Sequence, residues 1–102
     1  MARETFYNDL SDDEARMWIS KLNKQATQSL LQPATWAAWR HVPSSYLVCG
    51  KDNAIPAFLQ DMMIAQEGAN FDVTRFEDCS HSPFLSRPEE TAEFIRSSIE
   101  KA

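Results

Sequence analysis

The pattern that most constrains this chain is a strand–helix–strand succession in its second half. Ser45-Tyr-Leu-Val-Cys49 is a short, almost wholly apolar run, as expected for a strand buried on both faces of a parallel sheet. Pro56 opens a helical stretch over residues 56–67, with Phe58, Leu59, Met62 and Met63 on one side and Gly68 placed to end it. Phe71-Asp-Val-Thr-Arg-Phe76 alternates more, which suits a strand nearer a sheet edge. A connection of this length joins strands that pair parallel, as a βαβ unit. Two parallel strands have two faces to cover and two open edges, which is too little sheet for a stable domain. The chain is therefore expected to be oligomeric or to need a partner.

Helical patterns flank this unit. Ser11-Asp-Asp-Glu14 reads as a capping box, followed by Ala15, Trp18, Ile19 and Leu22 in one apolar stripe, so a helix is expected over 11–22. Shorter helices are expected over 25–31, stopped before Pro33, and over 34–40, with Trp36 and Trp39 three apart. His41-Val-Pro-Ser-Ser45 marks a seam between residues 1–41 and 42–102. The last helix is expected over 87–100, capped by Ser86, with Pro88, Glu89 and Glu90 in its first turn and Ala92, Ile95 and Ile99 as its buried stripe. The fold class is α/β, a helical segment followed by a parallel β-α-β-α unit in one domain.

Composition narrows the function classes. With 102 residues and 11% aromatics, the chain has the size of one small domain and a core to bury. Fifteen acids against ten scattered bases argue against a nucleic-acid partner. Its longest apolar runs are four residues, far below the ~20 of a membrane helix. No basic and then apolar stretch opens the chain, so no secretion signal is read. Together with two cysteines, Cys49 and Cys79, this leads to the expectation of a reducing, cytoplasmic compartment. Cys49, Cys79, His41 and His81 lack zinc-ligand spacing, and no cofactor-binding motif is present, so no metal and no cofactor are expected.

Chemistry in open α/β sheets sits beyond the carboxyl ends of the strands. Asp52 lies three residues past the first strand and His81 lies in the loop after the second. Neighbouring strands stand ~4.8 Å apart, so the two loops emerge side by side. An Asp that accepts from a His N–H fixes the tautomer and leaves the other nitrogen free as a general base. The residues alone leave a second reading open, an Asp capping the helix at Pro56 beside an ordinary loop His. Cys79 is read as a small packing residue rather than a nucleophile.

Tyr46-Leu-Val-Cys-Gly-Lys-Asp52-Asn-Ala-Ile-Pro56, followed by Cys79-Ser-His81-Ser-Pro-Phe-Leu-Ser-Arg-Pro-Glu-Glu90, resembles the C-terminal part of an α/β-hydrolase. The similarity is to the branch that holds methyl esterases and hydroxynitrile lyases. It implies a partial α/β-hydrolase fold, with residues 6–41 as its cap and Asp52 and His81 as acid and base of a Ser-His-Asp triad. Ser80 departs from the pattern, because the family often has Gly before the His.

A nucleophile elbow of the form Gly-x-Ser-x-Gly is absent from these 102 residues, whose two glycines are Gly50 and Gly68. The chain is expected to be hydrolase-like in lineage but not to hydrolyse esters alone. Its expected partners are a small apolar ester or carbonyl substrate, and either a second copy of the chain or a complementing N-terminal hydrolase portion. The alternatives are a small lyase, isomerase or cyclase with a His–Asp general base, and a non-catalytic dimerising module.

Overall fold

The computed structural model describes residues 1–102 throughout. Helix α1 (Ala2–Phe6) leads into α2 (Asp12–Ile19) and α3 (Thr27–Leu31), and a single 3-10 turn, Ala38–Arg40, precedes strand β1 (Ser44–Cys49). Helix α4 (Ala57–Ile64), strand β2 (Phe71–Phe76) and helices α5 (Pro83–Ser86) and α6 (Pro88–Lys101) complete the chain. The two strands pair parallel, in a register that runs from Ser44 opposite Phe71 to Cys49 opposite Phe76. The expected βαβ unit is present. No helix is long and apolar enough to cross a membrane.

Local chemistry accounts for the element ends. The Ser11 hydroxyl oxygen accepts from the Glu14 N–H at 3.3 Å and starts α2. The other half of the capping box differs from expectation, because the Glu14 carboxylate accepts from the Ser11 hydroxyl at 2.8 Å. Gly68 takes φ +79, the left-handed turn that returns the chain from α4 toward β2. At Gly50 the requirement is space, since a Cβ there would overlap the Glu77 carbonyl oxygen and stand 2.7 Å from its carbonyl carbon.

Several helical expectations need correction. Helix α2 stops at Ile19, short of Leu22, and the expected helix over 34–40 is only the 3-10 turn. Ser86 does not cap the last helix. It ends α5 instead, and α6 begins after Arg87 without a side-chain cap. Pro83 in the first turn of α5 is the overlooked start signal.

The apolar stripes also face differently. Helix α4 buries Gln60 against β1, whereas Phe58 and Met62 are 63% and 64% exposed. Helix α6 buries Thr91, while Ala92, Ile95 and Ile99 are exposed. A sheet two strands wide covers only a narrow strip of each helix, so the rest of each apolar face is left bare. The largest buried apolar cluster lies elsewhere, where Tyr7, Leu10 and Ala15 pack with Trp18, Ile19 and Leu85.

The three tryptophans have different partners. Trp18 belongs to that cluster, Trp36 stacks on His41 at 5.3 Å, and Trp39 lies beside Phe71.

Candidate active site

Asp52 follows a tight turn after β1, in which its N–H donates back to the Cys49 carbonyl. Its Oδ1 accepts from the N–H groups of Ala54 and Ile55 at 2.8 and 2.9 Å. This Asx turn fixes the carboxylate with Oδ2 directed at His81 Nδ1, 2.9 Å away. Asp52 therefore does not cap α4, whose N-cap Pro56 has no side-chain partner: one of its oxygens orders the turn before the helix and the other meets the imidazole.

Burial separates the two partners. The Asp52 side chain is 6% exposed, whereas that of His81 is 35% exposed. With Nδ1 committed to Asp52, the tautomer with the proton on Nδ1 leaves Nε2 as an acceptor with no partner in the chain. That arrangement suits a general base: one nitrogen is anchored, and the other is open to a proton.

Sequence reasoning missed Gln60, the group that holds Asp52 from behind. Its Oε1 accepts from the Cys49 N–H at 3.1 Å. Its Nε2 donates to the carbonyls of Cys49 at 3.0 Å and Ile55 at 2.7 Å, and lies 3.5 Å from Asp52 Oδ2. The signal that could have found it is a lone amide at position 60 in a helical run whose other polar residue is Asp61. Such a group is tolerated in a buried position only when its hydrogen bonds are met.

The loop that carries His81 is tied to the Asp52 loop by backbone. The Lys51 N–H donates to the Cys79 carbonyl at 3.0 Å, and the Gly50 N–H to the Phe76 carbonyl at 2.8 Å. Ser80, in place of the Gly expected before the His, is fully buried and does not adopt a positive φ. The loop therefore needs no glycine there.

Cys49 and Cys79 are free and buried. Burial, with the neighbouring Cys79 thiol second, pushes the Cys49 thiol up to about 12. Burial likewise raises Cys79, whose Sγ lies 3.5 Å from the Phe76 carbonyl. Neither is a nucleophile at neutral pH. Iodoacetamide at pH 8 is expected to leave Cys49 unmodified in the native protein and to label it in urea, as mass spectrometry will show. Rapid native labelling would contradict the buried thiol pair.

No group of three His, Cys, Asp or Glu side chains is arranged to hold a metal ion. The largest surface depression, about 430 Å³, lies at the opposite end of the strands, where it is lined by residues such as His41, Ser44, Phe71 and Lys101. It contains neither member of the Asp52–His81 pair.

Comparison with known proteins supplies the family. Over 100 residues the chain is 37% identical to "Alpha/beta hydrolase nvfD" of Aspergillus novofumigatus (strain IBT 16806), a match that covers 98% of this chain and 40% of that protein. It is 33% identical over 92 residues to "Probable hydrolase R7" of Phoma sp. (strain ATCC 20986 / MF5453), covering 86% of this chain and 37% of the relative. The chain thus spans about two-fifths of the length of these relatives. Among solved structures, that of polyneuridine aldehyde esterase superposes with a TM-score of 0.77 at 18% identity. That match covers 94% of this chain and 39% of the esterase, and establishes a shared fold. Because the model of the alpha/beta hydrolase family matches residues 1–94 of these 102, this chain belongs to that family.

Proposed function

We propose that the chain contributes the acid–base half of an ester-cleaving site, with His81 as general base and Asp52 as its orienting acid. The observation that carries this reading is the 2.9 Å contact between His81 Nδ1 and the buried Asp52 Oδ2, with the imidazole still accessible. In such a site His81 Nε2 takes the proton of an attacking hydroxyl as its oxygen bonds to the ester carbonyl carbon. It then returns that proton to the departing alkoxide as the ester C–O bond breaks. Asp52 stabilises the transient imidazolium and holds its orientation.

The attacking hydroxyl comes from outside these residues. None of the ten serines lies in a Gly-x-Ser-x-Gly elbow, so the nucleophile and oxyanion donors belong to a complementing hydrolase portion. A second copy of this chain would add no elbow, which favours the complementing portion as the partner. The bare faces at Phe58, Met62, Ile95 and Ile99 are where such a portion would pack. The substrate class is a small apolar ester or related carbonyl compound, and the compartment is cytoplasmic.

The test joins the corresponding N-terminal part of the Aspergillus relative to this chain and follows short-chain aryl ester cleavage. The chimera is expected to turn over, and His81→Ala to lower its rate by roughly 10³-fold or more. The 102 residues alone are expected to show no His81-dependent cleavage. A folded chimera without activity overturns the reading. Turnover by the isolated chain that His81→Ala abolishes overturns the half-site and favours a stand-alone general base.

A further inference from the structure

Residues 4–10 run across both loops of the dyad and are bonded to each. On the Asp52 side, Asn53 Nδ2 donates to the Glu4 carbonyl at 2.7 Å, and Asn8 Nδ2 to the Lys51 carbonyl at 2.9 Å. These contacts lie immediately before and after Asp52 in the chain. On the His81 side, the Ser80 N–H donates to Asp9 Oδ2 at 2.9 Å and the Ser80 hydroxyl donates to Asp9 Oδ1. The Phe6 carbonyl, 3.3 Å from the same hydroxyl, is its alternative acceptor. The Phe6 ring lies 5.4 Å from the His81 ring, and Tyr7 and Leu10 anchor the segment from the apolar cluster.

Ser80 is fully buried, so both of its donors need acceptors. A carboxylate supplies two oxygens side by side, which an amide cannot match, and its bonds to donors are stronger than neutral ones. Burial works against the Asp9 charge, yet the bonds from Ser80, together with the nearby Ser86 hydroxyl, outweigh it and hold the carboxyl below its usual range. Asp9 is thus ionised at neutral pH, and it touches Ser80 rather than the imidazole.

We propose that Asp9 is a positioning residue for His81: by clamping both donors of Ser80, it holds the following imidazole in line with Asp52. The proposal rests on the reading of Asp52 and His81 as acid and base, and it adds the group that sets their alignment. Residues 4–10 therefore act as a strap across the site as well as a lead-in to α2.

The test reads the low-field imidazole Nδ1–H proton by NMR, both in the 102-residue chain and in the chimera described above. Asp9→Ala, Asp9→Asn and Ser80→Ala are compared, with His41 as an internal reference and amide dispersion as the check on folding. Asp9→Ala is expected to speed solvent exchange of that proton about tenfold and to leave His41 unchanged. Asp9→Asn should follow it, because its NH2 group opposes a Ser80 donor. Ser80→Ala removes only the hydroxyl and should give a smaller change of the same sign. In the chimera, Asp9→Asn should lower kcat about tenfold with KM little altered, the signature of a misplaced base rather than of weakened substrate binding. If Asp9→Ala unfolds the protein, Ser80→Ala carries the test. An Nδ1–H signal that these substitutions leave unchanged overturns the role of Asp9. Absence of that signal from the unsubstituted protein overturns the dyad itself, so the two failures are distinct.

Discussion

Gly50→Ala is expected to destabilise the fold by about 3 kcal/mol, at the upper end of overpacking costs. The added methyl would overlap the Glu77 carbonyl oxygen and stand 2.7 Å from both the carbonyl carbon and the Cα of that residue. All three are backbone atoms, so no side chain can swing aside. The strain falls on the contact between the turn before Asp52 and the loop before His81. Urea or thermal unfolding will measure the loss, and the His81 Nδ1–H signal will show whether the two loops have parted. Gly68→Ala is the control. Its Cβ meets only the Arg40 side chain at 3.4 Å, so the cost is that of a left-handed φ, about 1 kcal/mol. Equal losses at the two positions would contradict the close backbone approach at Gly50.

Gln60→Leu should have the largest effect of any change on α4, about 4 kcal/mol. It keeps a similar volume but strips the partners from the Cys49 N–H and the Ile55 carbonyl, and leaves the Cys49 carbonyl with the Asp52 N–H alone. Each buried group left unpaired costs about 1–3 kcal/mol. Gln60→Glu gives a test with a pH signature. It can still accept from Cys49, but it places a second carboxylate where the amide stands 3.5 Å from Asp52 Oδ2. Burial and the like charge raise the introduced group above its unfolded value near 4.3, so its penalty grows as pH rises from that value. Stability relative to the unsubstituted protein should then recover as pH falls through that raised value. Chemical denaturation at pH 7 and pH 5 would show this, and a penalty independent of pH would count against the contact with Asp52.

The meeting of Asp52 and His81 was legible in the sequence because their placement follows from topology, whereas the roles of acid and base came from the family resemblance. Two parallel strands bring their following loops together, and Asp52 and His81 are the ionisable groups suited to proton transfer there. The supports were not legible for the opposite reason. Asp9 and Ser80 lie 71 residues apart, and nothing local in either segment announces that they meet. Gln60 was hidden among apolar neighbours whose helical spacing drew attention to Phe58 and Met62. Spacing reveals which side of a helix is apolar, but not whether the sheet beneath is wide enough to cover it. Helix α6 shows the same limit, with Ile95 and Ile99 on a clear stripe that the rest of the chain leaves mostly exposed.

The parallel register has one further consequence. Asp52 and His81 sit in the loops that follow two strands whose pairing runs from Ser44–Phe71 to Cys49–Phe76. A slip of one residue would displace one loop by ~3.3 Å along the strand and turn alternate side chains to the other face. A hydrogen bond of 2.9 Å does not survive such a shift. The imidazole–carboxylate bond is thus a vernier on the ladder, closing only when every rung below it is correctly seated.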